Sequence, residues 1–338
     1  MSTSAIFPRA PMRAGMYASF YLRAVAPDES VGVWIRHTVH KRPGRRARGS
    51  VWCTVFDAER GSPFMHKLSS DRLTAPASWI EVGEADAETG EFDAASEGAR
   101  MSAERAQGSC GPARWSLRVA TEEQELRHLP REWMYRAPLP RTKVTSPAPA
   151  ASFDGFLELA GRDTIHLRDW HGMVGHNWGA EHAERWIWLH GVGFQEASSA
   201  WLDVAIGRVK IAGRMTPWIA NGALSLGGRR YRIGGLGARG LRVAETVEGC
   251  VLRLTGERGL AIDARVEVPA GTAAGWRYTN PDASAHDVVN CSIAAVALTI
   301  GLPGAPARVS LHSANGGAYE LGMREHDHGV PIAPFADG

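Results

Sequence analysis

The feature that most constrains this chain is a succession of short runs rich in Val, Ile, Trp, Tyr and Thr, each ended by Gly, Pro or Asp. The run from Val31 to Lys41 alternates clearly, with Val33 and Ile35 on one side and Trp34 and Arg36 on the other. Such runs recur about every 8–12 residues, a spacing typical of β-sandwiches and barrels. Long helical periodicity is scarce, so the pattern predicts an all-β protein.

Prolines mark the predicted boundary between two halves of similar strand pattern. The length of 338 residues suits two domains of ordinary size. Prolines at positions 138, 140, 147 and 149 lie close together, and each removes a ladder donor and stiffens the chain. We therefore predict two tandem antiparallel β-barrels, over residues 1–145 and 150–325, and a poorly ordered polar tail, 326–338.

Charge and composition restrict the partners. The chain carries 38 basic and 36 acidic residues, for a formal charge of +2. This balance gives no electrostatic reason to expect nucleic acid or an anionic membrane as a partner. The N-terminal stretch lacks the apolar core of a signal peptide, and no apolar run has the length of about 18 residues that a spanning helix needs. We expect a soluble cytoplasmic protein without an integral membrane segment, and we leave its oligomeric state open, a homodimer being one alternative.

The cysteines indicate free thiols. The four of them are widely spaced and include no CxxC pair, which argues against a structural zinc site and a disulfide framework. They are Cys53, Cys110, Cys250 and Cys291.

Chemistry-bearing residues are concentrated between residues 168 and 191. This stretch holds four histidines (His171, His176, His182, His190) and four tryptophans (Trp170, Trp178, Trp186, Trp188). Aromatic rings interleaved with titratable groups suit the wall of a partly apolar pocket. The same composition also suits a folded join between two halves, and the pattern leaves both interpretations open.

Within this stretch, the segment His176-Asn177-Trp178-Gly179 offers the best catalytic candidates. A histidine acts as donor, acceptor or base near neutral pH, an asparagine is a polar anchor, and a tryptophan is a flat apolar wall. Glu181 and Glu184 are near enough in sequence to orient a histidine or carry a proton. The alternative is that His176 and Asn177 only satisfy backbone groups at an inter-domain turn.

Two further residues are candidates whose role depends on which face they occupy. Asp203 lies in the otherwise apolar run SAWLDVAIG; facing inward it would have a raised pKa and act as an acid, and facing outward it would be solvated. His37, near Trp34 and Arg36, has the same two alternatives.

The remaining motifs argue against metal and cofactor sites. A zinc site would use His176, His182 and His190, or His182 with Glu181, but these intervals match no zinc motif. No GxSxG nucleophile elbow is present, and the glycines of GGLGARG lack the strand-to-helix setting of a dinucleotide fingerprint. We predict no metal and no cofactor.

Several segments together resemble a known superfamily. They are GMVGHNWG, the preceding PRTKVTSP and FDGFLEL, the following RWIWLHG and, less sharply, WIRHT and SVWCTVFD. With these residues the chain resembles the two-domain lipocalin-like superfamily of AttH-like proteins, carotenoid 1,2-hydratase (hydroxyneurosporene synthase) and lipocalin-like Diels–Alderases. The resemblance is sharpest over residues 138–193.

The resemblance implies two lipocalin-like barrels that bind an apolar ligand within or between them. It also implies activity without redox or metal cofactors, as in hydration of an isolated double bond or cyclisation of a polyene. In the hydratase branch an Asp directly precedes the HNWG-like core, whereas this chain has Gly175 there. Glu181 and Asp203 are the carboxylates considered as replacements.

These observations favour a cofactor-independent enzyme that hydrates, isomerises or cyclises an isoprenoid, carotenoid or polyketide-like molecule in an apolar pocket. His176, Asn177, Glu181 and Asp203 would carry the chemistry, and the ligand would lie against Trp178, Trp188, Trp170, Trp34 and His37. A non-catalytic carrier of an apolar ligand is the first alternative, and a scaffold whose motif only holds the barrels together is the second.

Overall fold

The chain folds into two large antiparallel β-sheets, which confirms the all-β prediction. The computed structural model describes residues 3–211, 213–235 and 238–335. The helices of these residues are short 3₁₀ segments, Phe7–Arg9, Pro76–Ser78, Glu132–Tyr135 and Glu257–Gly259. Together the sheets form tandem lipocalin-like barrels, one nearly closed and one a half-barrel.

The first sheet contains strands β1 to β12. They span Met16–Val25, Val31–Lys41, Arg48–Asp57, Phe64–Ser70, Leu73–Thr74, Ile80–Gly83, Gly98–Met101, Arg105–Cys110, Ala113–Ala120, Leu126–Arg127, Thr142–Leu159 and Ile165–Gly179. Their order is β4-β3-β2-β1-β12-β11-β9-β8-β7-β6-β5, and β10 pairs with β11. The last strand, β12, therefore lies beside the first strand, β1, near the middle of the sheet.

The second sheet is built from the rest of the chain. Strands β13 to β24 span Arg185–Gly191, Trp201–Arg208, Lys210–Ile211, Arg214–Met215, Ile219–Leu226, Arg229–Gly234, Arg242–Thr246, Gly249–Thr255, Ala261–Glu267, Ala274–Thr279, Ala285–Gly301 and Arg308–Met323. The order in the second sheet is β18-β17-β14-β13-β24-β23-β21-β20-β19, with β22 paired to β23. Strands β15 and β16 form a separate two-stranded sheet.

The change from one sheet to the other does not occur at the proline-rich segment. Strand β11 runs through Pro147 and Pro149, and its pairing with β12 shifts register between Thr145 and Ala148 and again between Ala148 and Ala151. Bulges of this kind are where a strand accommodates proline. The chain leaves the first sheet after Gly179, so the change of sheet comes later than the proline-rich segment at which a domain boundary was predicted.

Strands β1 to β3 are buried on both faces because they contribute to two cores. Val33 and Ile35 join the apolar core inside the first sheet, whereas Trp34 joins the core of the second. Trp52 on β3 also packs on the second half, with its ring centroid 4.9 Å from that of Trp276. The predicted alternation along β2 is confirmed, and both of its faces are interior.

The C-terminal tail is packed as far as residue 335, contrary to the prediction of poor order. His326 Nδ1 lies 2.7 Å from Asp287 Oδ2, and the Phe335 ring lies 6.1 Å from that of Trp276. Residues 336–338 of the predicted tail lie outside the described residues.

Candidate functional site

A cavity of about 1200 Å³ lies between the two sheets. Strands β1, β2 and β12 form one wall, β13, β14, β17, β22 and β24 contribute to the other, and the segment 128–142 covers one side. Most of the lining side chains are apolar or aromatic, with a small number of polar groups among them, as in small-molecule sites generally. The His/Trp stretch passes from β12 to β13 beside this cavity.

The mouth of the cavity has an apolar rim. Trp133 and Leu139 on the covering segment, and Ile211 and Ile219 from the second half, line the cavity. Their side chains are nevertheless 61%, 60%, 60% and 47% exposed, respectively. Exposed apolar groups around a pocket are typical of a ligand entrance.

Alternation along β12 divides the HNWG segment between two faces. Asn177 lines the cavity and its Oδ1 accepts a 2.7 Å hydrogen bond from the Ser19 hydroxyl. His176 faces the first core, where its ring stacks on Phe20 at 4.0 Å and its Nδ1–H donates to the Ser19 carbonyl at 2.9 Å. Burial lowers the pKa of His176 to about 4, so its ring is neutral at neutral pH.

A row of residues crosses the cavity wall of the first sheet. Tyr21 on β1 is paired with Gly175 on β12 and with Arg36 on β2. A Cβ at Gly175 would lie 2.1 Å from Tyr21 Cζ and 2.4 Å from its hydroxyl oxygen. The missing side chain at 175 therefore leaves the space that the Tyr21 phenol occupies.

The Tyr21 hydroxyl is a free donor beside the cavity. It lines the cavity and makes no hydrogen bond to any residue that the structure describes. Burial, together with the negative charges of Asp203 and Glu320, raises the pKa of Tyr21 well above its ordinary value. The phenol therefore keeps its proton at any ordinary pH.

Asp203 is fully buried behind the cavity wall and accepts three polar contacts. The Ser146 hydroxyl donates to Oδ2 at 2.5 Å and the Trp188 indole N–H donates to Oδ1 at 3.1 Å. His128 Nε2 lies 3.3 Å from Oδ2. Burial alone would raise the pKa of Asp203, but the charge and hydrogen bond of His128 outweigh it and the pKa is lowered.

His128, which lines the cavity, contacts Asp203 and both sheets. Its Nδ1 lies 3.0 Å from the carbonyl oxygen of Asn221, which only accepts. Its Nε2 lies 3.1 Å from Ser146 Oγ, whose proton is already donated to Asp203. Both ring nitrogens of His128 therefore have polar partners, one on each sheet.

His190 and Arg23 connect the two sheets beside this pair. Arg23 on β1 donates to His190 Nδ1 at 2.9 Å, to the Gly316 carbonyl at 3.0 Å and to the Ser292 carbonyl at 2.8 Å. His190 Nε2–H donates to the Pro149 carbonyl at 2.9 Å. Burial and the charge of Arg23 lower the pKa of His190 to about 4, so this histidine is neutral.

A second polar group of the cavity surrounds His182. The Asn280 side-chain oxygen lies 2.7 Å from His182 Nδ1 and also accepts from its backbone N–H. The ring proton is therefore on Nδ1, and the buried Nε2 keeps a lone pair that no described residue engages. Burial and the charge of Arg36 hold the pKa of His182 well below its ordinary value.

The predicted site residues separate into three groups. Asn177, Glu181, Trp34 and Trp188 line the cavity, and Asp203 lies directly behind Trp188. Glu181 also pairs with Arg141. The others point into the first sheet's core and do not line the cavity: His176, Trp178, Trp170 and His37.

Sequence reasoning missed Tyr21, Arg36, His128, Ser146 and Glu320. The sequence could have indicated Arg36, because the alternation of β2 puts it on the same face as Trp34. No sequence pattern indicated His128 or Ser146, since only tertiary packing brings their segments to Asp203.

Three absences hold for the residues that the structure describes: a metal-ligand cluster, a disulfide and a membrane-spanning helix. No group of three or more His, Cys, Asp or Glu in the described ranges is arranged to hold a metal ion. All four cysteines are buried and free. Among the helices that the structure describes, none combines the length and apolarity required to cross a membrane.

Solved structures share this architecture over nearly the whole chain. CghA with Sch210972 superposes with a TM-score of 0.57 at 13% identity, covering 96% of both chains. The chain has the fold of two tandem lipocalin-like barrels. The same lipocalin-like fold occurs in a putative AttH from Nitrosomonas europaea (TM-score 0.53, 11% identity, 96% of this chain and 97% of that chain covered). Kievitone hydratase from Nectria haematococca also has it (TM-score 0.53, 10% identity, 95% of both chains). The resemblance seen in the sequence is confirmed at the level of the fold.

Curated relatives match only part of this chain. Two uncharacterized proteins of Mycobacterium tuberculosis, from strains CDC 1551 and H37Rv, are each 29% identical over 192 residues. The match covers 55% of this chain and 52% of theirs, so it spans about half of their length. No family model matches the chain.

Proposed function

We propose that this protein is a cofactor-independent enzyme that hydrates, isomerises or cyclises a hydrophobic small molecule in the cavity between its sheets. The observation that carries the proposal is the unpartnered Tyr21 hydroxyl, held in a large and mainly apolar cavity. Proteins of the same fold named as a hydratase and as a Diels–Alderase support this choice of chemistry.

Each polar group of the cavity has a distinct part in this proposal. Tyr21 donates a hydrogen bond to a substrate oxygen, and in a water-excluded site such a donor stabilises charge that develops there. His182 accepts a hydrogen bond from the substrate through its free Nε2, and Asn177 orients the substrate. Asp203 is a positioning residue, because it reaches the cavity only through Trp188 and His128.

Trp188 adds stabilisation of positive charge. Its indole N–H donates to the Asp203 carboxylate, which increases the electron density of a ring that lines the cavity. A cationic centre that forms on an isoprenoid or polyene above this ring is stabilised by cation–π attraction.

The first test is native mass spectrometry with organic extraction on the protein purified from its own source. We expect a co-purifying apolar molecule of defined mass, which then serves as substrate for the wild type and Tyr21→Phe. The variant should bind it with unchanged affinity but convert it about 100-fold more slowly or worse.

Tyr319→Phe is the matched control. The Tyr319 hydroxyl donates to the Thr246 carbonyl within the second half and does not line the cavity, so its loss should leave turnover unchanged. If the wild type binds the molecule and leaves it intact, the protein is a carrier and the enzyme proposal is wrong. Equal turnover by wild type and Tyr21→Phe removes the role of Tyr21.

A further inference from the structure

Arg36 is a buried cation that borders the cavity without a carboxylate partner. Its side chain lines the cavity and the residue is only 4% exposed. No carboxylate of the described residues lies within ion-pair distance of it, and its Nε has no hydrogen-bond partner. Taking a charge out of water without a counter-charge is costly, so the surroundings of Arg36 require an explanation.

Aromatic rings offset part of that cost. The guanidinium carbon lies 4.0 Å from the ring centroid of Tyr278, 5.7 Å from that of Trp52 and 6.0 Å from that of Trp34. Such contacts hold the side chain in place, but ring faces carry no net negative charge. Arg36 therefore stays a positive centre that can receive an anion.

The carboxylates that line the same cavity are engaged elsewhere: Glu181 pairs with Arg141, and Glu184 pairs with Lys210 and Arg324. Glu320 accepts hydrogen bonds from the Trp186 indole at 2.8 Å and from the Tyr278 hydroxyl at 3.0 Å. Asn290 donates to the same Glu320 oxygen as Tyr278, at 3.4 Å. These bonds hold Glu320 away from Arg36, while cross-strand pairing places the free Tyr21 hydroxyl directly beside Arg36.

We infer that Arg36 forms an oxyanion subsite, so that the substrate is an apolar molecule carrying an ionised or ionisable oxygen such as a carboxylate or an enolate. The inference rests on the proposed function, since it names the substrate class of the same cavity. Arg36 supplies the charge and Tyr21 a neutral donor to the same oxygen, a combination that strengthens as that oxygen becomes more negative. The apolar remainder lies against the tryptophans.

A pair of probes that differ only in charge tests the subsite. cis-Parinaric acid and its methyl ester are titrated at neutral pH against the wild type, with probe fluorescence as the signal. We expect the acid to bind about tenfold tighter or more. In Arg36→Met this preference should disappear through weaker binding of the acid, with ester binding unchanged.

Two other variants control the experiment. Arg36→Lys keeps the charge and should keep part of the preference, which protects the test against a misfolded Arg36→Met protein. Arg114→Met removes an arginine that also stacks on an aromatic ring, Phe156 at 5.2 Å, but outside the cavity; it should bind like the wild type.

The outcomes separate the subsite from the cavity itself. Equal binding of acid and ester by the wild type, or a preference that survives in Arg36→Met, overturns the subsite and leaves the apolar cavity standing. If neither probe binds the wild type, both the subsite and the proposed small-molecule function are overturned.

Discussion

At the scale of single residues, the Tyr21 phenol occupies the space in the cavity wall that a side chain at position 175 would need. Gly175 has no positive φ, so an alanine there meets no backbone strain and only the contact with the phenol opposes it. We expect Gly175→Ala to lower the free energy of unfolding by about 1–3 kcal/mol, the usual cost of overpacking. Urea denaturation followed by tryptophan fluorescence measures it.

Two controls isolate that contact. At Gly301, also in a strand, a Cβ would come no closer than 3.8 Å to another atom, so Gly301→Ala should be nearly neutral. In a Tyr21→Ala background, Gly175→Ala should no longer lower the free energy of unfolding. An unchanged loss there contradicts the steric contact between Tyr21 and a side chain at position 175.

Asp203 gives the chain a pH dependence at acid pH. Because the pKa of Asp203 is lowered on folding, its carboxylate stabilises the folded state above the ordinary aspartate pKa of about 3.9. That stabilisation is lost as the pH falls through the lower folded value. Asp203→Asn should cost about 3–5 kcal/mol at neutral pH, and the difference from wild type should shrink below about pH 4.

Urea denaturation between pH 7 and pH 3 tests this expectation. Asp71→Asn, whose side chain is 89% exposed, should show a small difference at every pH. A difference for Asp203→Asn that does not change with pH contradicts the lowered pKa of Asp203.

At the scale of elements, β1 is the strand that connects the two halves. It pairs with β2 and β12 in the first sheet and sends Arg23 to three acceptors of the second half. Arg23→Met leaves those acceptors without a hydrogen-bond donor, at a cost of about 1–3 kcal/mol each. We therefore expect the free energy of unfolding, measured by urea denaturation, to fall by about 3 kcal/mol or more.

The control for that variant is a solvent-exposed arginine of the same sheet. Arg118 is 80% exposed and lies 4.0 Å from Asp154, so Arg118→Met should cost about 0–1 kcal/mol. Equal effects of the two substitutions show that the Arg23 hydrogen bonds do not hold the halves together.

At the scale of the whole molecule, the two sheets share a core and should unfold together. The core of the second half includes Trp34, Trp52 and Phe56 of the first, so opening either sheet exposes apolar surface of the other. We expect one calorimetric transition, with coincident loss of near-ultraviolet and far-ultraviolet circular dichroism. Two separated transitions contradict the shared core.

Local patterns were sufficient for the fold class. The strand Val31–Lys41 follows from alternation, which depends on neighbouring residues. The proline-rich segment does not coincide with the change of sheet, because bulges let β11 carry its prolines within the first sheet.

The sequence by itself determined an all-β protein with its polar and aromatic chemistry concentrated around residues 168–191. It also indicated Asn177, Trp34 and Trp188, which line the cavity. Only the tertiary structure decided that His176 faces a core, that Tyr21 fills the space above Gly175, and that His128 and Ser146 meet Asp203. The physical reason is that register and sheet-to-sheet packing choose which face of a strand meets a cavity, and both depend on residues far apart in the chain.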